Sequence, residues 1–151
     1  MILNKFKYIY FLGIGGIGMS SLARYCNLKN KNVLGYDRKR SDMCVELENE
    51  EIPINYGELV PSILKDQKMK EKVLVIYTPA IPHDNSQLIF FQENSYKIMK
   101  RAELLGLISK DYFTIAIAGT HGKTTTCTML SHVLKKSGLN CTAFLGGISR
   151  N

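Results

Sequence analysis

The chain has 151 residues, a formal net charge of +7 and 45% hydrophobic residues, the profile of one ordinary domain, or one domain and part of another, with enough apolar content for a packed core. The charges are interspersed, which excludes a disordered chain, and no run approaches ~18 uninterrupted apolar residues, which excludes a membrane-spanning helix. The basic balance points to nucleic acid or to an anionic small substrate; the lysines are scattered rather than striped with aromatics, so a small anion is expected and nucleic acid is not.

In chain order, Tyr8–Leu12 is a β-rich apolar run that ends in glycines. Its tyrosines, and the lack of a small-residue cleavage site, speak against a secretory signal, so a cytoplasmic location with no membrane partner is expected. Met19, Leu22, Ala23 and Cys26 recur at i, i+3, i+4 and i+7, a helical stripe. Asn32–Tyr36 reads as a second strand, Met43–Glu51 as a helix and Ile52–Tyr56 as extended. Leu59–Met69 reads as a helix with Pro61 in its first turn. Val73–Tyr77 is a strong strand stopped by Pro79 and Pro82, and Gln87–Asn94 and Arg101–Ser109 read as helices. Tyr112–Ala118 reads as the last strong strand, Thr124–Lys136 as a helix with Gly138 at its C-terminal cap, and Cys141–Gly147 as the start of another strand. Strand–helix alternation predicts an α/β fold: a Rossmann-like, mostly parallel sheet with helices on both faces, followed by the first βαβ portion of a P-loop domain. The expected boundary divides residues 1–110 from residues 111–151.

Two glycine loops carry the chemistry. In "GIGGIGMS", Gly13, Gly15 and Gly18 satisfy G-x-G-x-x-G between a strand and a helix. Such a loop turns tightly, lets backbone approach a diphosphate, packs helix on strand, and aims the helix N-terminus at the anion. Asp37, after the second strand, is placed to contact a ribose. In "GTHGKTTT", Gly119 to Thr126, the core Gly122-Lys123-Thr124 of a phosphate loop is intact, although Ile117 stands where the strict pattern has glycine. Amides from Gly119 to Thr125, including those of Thr120, His121 and Gly122, are expected to cradle ATP phosphates, Lys123 to reach the terminal ones, and the Thr124 hydroxyl to hold Mg2+ through ATP. The four cysteines, Cys26, Cys44, Cys127 and Cys141, are widely spaced and read as reduced thiols; with only His83, His121 and His132 beside them, no zinc spacing is present.

Together these loops resemble those of the Mur ligases, in which an N-terminal Rossmann-like domain holds a UDP-sugar and a central domain holds ATP through a G-T-[HN]-G-K-[ST] loop. "FLGIGGIGMSSLA" and the histidine of "GTHGKTTT" resemble the branch that adds L-alanine to UDP-N-acetylmuramate. "YTPAIPHDN" (Tyr77–Asn85), "KRAELL" (Lys100–Leu105) and "TAFLGGI" (Thr142–Ile148) resemble further family segments. The resemblance implies an ATP-dependent amide-forming ligase of peptidoglycan precursor synthesis, using ATP and Mg2+ and working through an acyl phosphate. It implies that Gly15, Gly16, Ile17 and Gly18 hold the UDP diphosphate, that Gly13 belongs to the same UDP-sugar site, that Asp37 and Ser41 lie beside the uridine, and that Thr78, Pro79, Ala80 and Ile81 line the other wall. Lys123 and Thr124 are the implied catalytic residues. Family members run to three domains, so the isolated chain is expected to be inactive in ligation, to bind ATP weakly, and to self-associate through its last forty or so residues. Three alternatives remain open from the residues alone; one, a stand-alone P-loop phosphotransferase, leaves the first hundred residues idle. An NAD(P)-binding Rossmann oxidoreductase would use the basic knot Asp37–Arg40 but leaves the second loop unexplained; a non-catalytic nucleotide-binding module would use both loops.

Overall fold

The computed structural model describes residues 2–146. Five strands, β1 (Tyr8–Leu12), β2 (Asn32–Tyr36), β3 (Ile54–Asn55), β4 (Val73–Tyr77) and β5 (Lys97–Lys100), form one sheet in the order β3-β2-β1-β4-β5. Every ladder is parallel. Tyr8 to Leu12 pairs with Asn32 to Tyr36 on one side and with Val73 to Tyr77 on the other, so the three central strands end level with one another. Among the described residues six α-helices accompany them: α1 (Ile17–Leu28), α2 (Asp42–Asn49), α3 (Ser62–Lys65), α4 (Ser86–Glu93), α5 (Arg101–Ser109) and α6 (Lys123–Lys136).

The period of two along the central strands builds two cores. Ile9 and Phe11 of β1, with Leu74 and Ile76 of β4, pack against Met19, Leu22 and Cys26 of α1 and Leu104 and Ile108 of α5. Tyr10 and Leu12, with Val73 and Val75, pack on the opposite face against Leu88 and Phe91 of α4. A parallel strand covered on both faces must be apolar throughout, which is why β1 and β4 read as continuous hydrophobic runs. The polar groups buried in this packing are satisfied: the Tyr10 hydroxyl donates to Gln87 Oε1 at 2.7 Å, and Gln87 Nε2 donates to the Gly57 carbonyl at 2.8 Å.

Five segments depart from the sequence reading. The helix expected over Leu59–Met69 is split into α3 and a 3-10 turn at Gln67–Lys72. Asp66 ends α3 in extended geometry and accepts the Lys68 amide at 2.9 Å, a side chain competing with the helix for backbone donors. The extended segment over Ile52–Tyr56 yields only the two residues of β3. Strand β5, which the reading left out, runs along the sheet edge. The strand expected over Tyr112–Ala118, and the described part of the strand expected from Cys141, carry no ladder; Gly147 onward lies outside the described residues. A parallel strand exists only beside a neighbour, and none among the described residues pairs with this segment, whose Phe113 is 95% exposed. The P-loop portion is thus a loop and one helix here rather than a βαβ unit. Helix α6 has no buried residue. It is followed by a stretch whose Phe144 packs edge-to-face on Tyr25 of α1, with centroids 5.6 Å apart.

Candidate functional site

The first glycine loop begins where β1 ends. The amides of Gly13 and Ile14 both donate to the Tyr36 carbonyl, at 2.8 and 3.0 Å, pinning the loop to the end of β2. The Gly15 amide donates to Asp37 Oδ2 at 2.8 Å, and the Gly16 amide to the Gly13 carbonyl at 3.3 Å. Helix α1 then starts without a side-chain cap on Gly16. Of the amides expected to meet a diphosphate, those of Ile17 and Gly18 are the ones left without an acceptor among the described residues. Unpaired donors at a helix N-terminus, reinforced by the helix dipole, make an anion-binding surface.

Around this surface stand the other expected residues. Asp37 is half-buried and holds the loop through Oδ2; its Oδ1 faces the Lys39 amide at 3.4 Å. Ser41 caps α2, accepting the Cys44 amide at 3.3 Å. Thr78, Pro79, Ala80 and Ile81 form the turn after β4, closed by the Ile81 amide donating to the Thr78 carbonyl at 3.0 Å. That turn lies against Gly13, with Thr78 Cγ2 2.9 Å from the position a β-carbon there would take. All these groups occupy the carboxyl ends of β1, β2 and β4, beside the crevice where the strand order reverses direction, the place where open parallel sheets bind ligands. Arg40, in the basic knot, is tied to Glu48 at 2.7 Å, and Glu48 also accepts the Tyr56 hydroxyl at 2.8 Å. This network depresses the Glu48 carboxyl below its usual range, chiefly through the Arg40 hydrogen bond.

The second loop is shaped by its glycines. Gly119 has φ of +147° and Gly122, the residue before α6, φ of +75°, geometry that side chains disfavour. The amides of Lys123, Thr124 and Thr125 have no acceptor among the described residues, so this helix start also offers open donors. Lys123 Nζ folds back onto the carbonyls of Gly119 and Thr120, at 2.5 and 3.1 Å. Thr120, His121, Thr124 and Thr125 are exposed. Among the described residues no three His, Cys, Asp or Glu side chains converge as a metal cage. The Thr124 hydroxyl therefore fits Mg2+ only when phosphate oxygens supply the other ligands.

A small cavity of about 60 Å³ adjoins the first loop; its lining includes Gly18, Arg101, Phe144 and Gly146. Gly146 in turn lies beside Thr124, whose Oγ1 is 3.7 Å from the position of a β-carbon on that glycine. Arg101 was not among the expected site residues. Its placement follows from β5: it is the residue directly after that strand, at the same sheet end as the loops.

Residues 8–113 match the family described as "Mur ligase family, catalytic domain". The UDP-N-acetylmuramate–L-alanine ligase of Cytophaga hutchinsonii is 48% identical over 151 residues, covering 100% of this chain and 32% of that protein. The protein of the same name from Flavobacterium psychrophilum is 50% identical over 151 residues, covering 100% of this chain and 34% of that protein. Among solved structures, the UDP-N-acetylmuramate–alanine ligase of Thermotoga maritima superposes with a TM-score of 0.78 at 34% identity, covering 94% of this chain and 32% of that one. The chain spans about a third of the length of the curated relatives it matches.

Proposed function

Because this chain belongs to the Mur ligase family, we propose that it carries the sugar-nucleotide site and the ATP loop of a UDP-N-acetylmuramate–L-alanine ligase acting in the cytoplasm. Residues 1–110 form the UDP-sugar-binding unit in this reading, and residues 111–151 belong to the ATP-binding unit. The observation that carries it is the pairing of two separate helix starts with open amides, Ile17–Gly18 and Lys123–Thr125, the first beside a cavity whose lining residue Gly146 lies next to Thr124. A dehydrogenase needs the first alone, and a simple phosphotransferase the second alone. Support against a 2′-phosphate on the basic knot comes from Arg40, whose guanidinium is already engaged by Glu48. No described helix is long and apolar enough to cross a membrane.

In this reading the lactyl carboxylate of the sugar nucleotide attacks the γ-phosphate of ATP, ADP departs, and the resulting acyl phosphate is attacked by the amine of L-alanine, releasing phosphate and leaving an amide. The work of this chain is positioning and charge neutralisation. The Ile17 and Gly18 amides hold the diphosphate. Lys123 exchanges its contacts with Gly119 and Thr120 for the terminal phosphates of ATP, so the lysine that braces the loop becomes the cation that stabilises the transferring group. Mg2+, when bound with ATP through Thr124, supplies further neutralisation of phosphate charge. The exposed Met129 and Val133 of α6 support self-association of the chain, which sedimentation over a range of concentrations would reveal.

Calorimetric titration of the chain with UDP-N-acetylmuramate, ATP–Mg2+ and NADPH tests the proposal. Binding of the sugar nucleotide and none of NADPH is expected. NADPH binding with no response to UDP-N-acetylmuramate would replace it with the oxidoreductase reading.

A further inference from the structure

Arg101 begins α5, whose first turn is fixed by the Lys100 amide donating to Glu103 Oε2 at 2.6 Å. From there its side chain runs across α1. Its Nη1, Cζ and Cδ lie 2.6, 3.2 and 3.4 Å from the place where a β-carbon on Gly18 would stand, and these are the three nearest atoms to that place. The third glycine of the first loop is therefore open for an arginine to pass. Arg24 and Arg40 are each paired with glutamates at 2.8 and 2.7 Å, whereas no acidic side chain among the described residues pairs with Arg101. Arg101 is exposed, and its guanidinium lies across a helix start, on the lining of a cavity, with no acidic partner among the described residues, where an anion brought by a ligand could meet it.

We propose that Arg101 is a substrate-binding residue that contacts the β-phosphate, the sugar-side phosphate, of the UDP-sugar held by the first loop. The inference rests on the sugar-nucleotide reading above and adds the direction in which the ligand lies. The strand order sets that direction. Asp37 and Ser41 follow β2, the first loop follows β1, and Arg101 follows β5 on the other side of the sheet. A nucleotide with its uridine near Asp37 passes its α-phosphate over the loop before its β-phosphate reaches Gly18 and Arg101. Beyond lies the cavity lined by Gly146, the glycine next to Thr124 of the second loop. Arg101 thus marks the point where the sugar nucleotide leaves its own loop and turns toward the second.

The test uses UDP, UMP and ATP–Mg2+ as separate titrants against the wild-type chain, Arg101→Ala and Arg101→Lys, with hydrogen exchange of β1 and α1 confirming an intact fold. Losing a charge-assisted contact should weaken UDP binding by about 10- to 100-fold in Arg101→Ala, leave UMP nearly unchanged, and leave ATP unchanged. Arg101→Lys should recover part of the loss, since it keeps the charge but not the two-pronged geometry. Gly18→Ala should also weaken UDP more than UMP, because its methyl group displaces the guanidinium while the charge remains in the chain. Equal UDP affinity in wild type and Arg101→Ala, equal losses for UDP and UMP, or a loss confined to ATP would each overturn the proposal while leaving the sugar-nucleotide reading intact. A wild-type chain that binds neither UDP nor UDP-N-acetylmuramate would overturn both.

Discussion

The two glycine loops both precede helix starts with open amides and are held in different ways. The first is embedded in a sheet whose strands supply ladder partners, with Ile9, Tyr10, Phe11 and Leu12 all fully buried beneath it. The second stands on a helix with no buried residue, reached through a segment whose Phe113 is 95% exposed. The contrast separates shape from support. Positive φ at Gly119 and Gly122 and a helix behind them suffice to present open amides. Packing decides how firmly those amides are held before a ligand arrives, and so how much ordering its binding must supply.

The largest test of this contrast is a pair of identical truncations. Phe11→Ala, at the centre of the sheet, should cost about 3–5 kcal/mol in unfolding free energy. Phe113→Ala should change it by less than about 0.5 kcal/mol. Urea unfolding followed by circular dichroism measures both; similar costs would mean that the second region shares the core of the first.

The glycines give the next contrast. Gly15 needs space: a β-carbon there would fall 2.6 Å from Cys44 Sγ and 2.9 Å from Asp37 Oδ2. Gly15→Ala should therefore cost about 1–3 kcal/mol as overpacking and displace the amide that Asp37 holds, with UDP binding falling in parallel. Gly122 needs backbone freedom instead, since its surroundings are open but its φ is +75°. Gly122→Ala should cost about 1–2 kcal/mol locally, visible as faster hydrogen exchange at the start of α6 and not as a shift in the unfolding midpoint of the sheet. A drop in that midpoint equal to that of Gly15→Ala would contradict the difference.

A smaller effect probes the join between the regions. The Tyr25 hydroxyl lies 3.2 Å from that of Tyr112, and Lys29 Nζ stands over both rings at 5.6 and 5.7 Å. Burial and the Tyr112 hydrogen bond push the Tyr25 phenol above its ordinary range, so it stays protonated. Tyr25→Phe keeps the packing on Phe144 and removes only the hydroxyl. The loss should be about 0.5–1.5 kcal/mol, up to about a tenfold faster exchange across residues 112–146 with β1 and β4 unaffected. Unchanged exchange there would mean that the tyrosine pair contributes nothing to the join.

The sequence made the first region legible because its strands bury both faces. β1, β2, β4 and α5 fall on the residues that apolar runs and helical spacing mark out. β5 escaped notice because Lys97 and Lys100 enclose only Ile98 and Met99, a short run that an edge strand tolerates. The segment 112–118 misled in the opposite direction: its apolar residues describe what it would do with neighbours, and pattern alone does not say whether neighbours are there. The loops were visible as glycine spacings, but the groups that demand those glycines were not. That Asp37 holds the Gly15 amide, and that Arg101 crosses Gly18, depends on contacts 22 and 83 positions apart in the chain.

The mildest probe of the contrast is chemical and leaves the sequence unchanged. Cys26 and Cys44 belong to the first region and are buried, while Cys127 and Cys141 belong to the second and are half-buried. Alkylation requires a thiolate that the reagent can reach. Burial pushes the Cys26 thiol up to about 12, an effect that Lys31 only partly offsets. Native protein treated with iodoacetamide near pH 8 should therefore be labelled at Cys127 and Cys141 and spared at Cys26 and Cys44, as read by peptide mass spectrometry. The same shift fixes a sign. A thiol whose folded pKa lies above its unfolded value of about 8.5 contributes its full stability below that pH and loses it as pH rises toward 12. Wild type should thus lose more stability than Cys26→Ala between about pH 8.5 and 12, narrowing the deficit that the small cavity leaves in the variant at neutral pH. Equal labelling of Cys26 and Cys127 at pH 8 would show that the sheet opens as readily as the loop region, and the distinction between the two would fail.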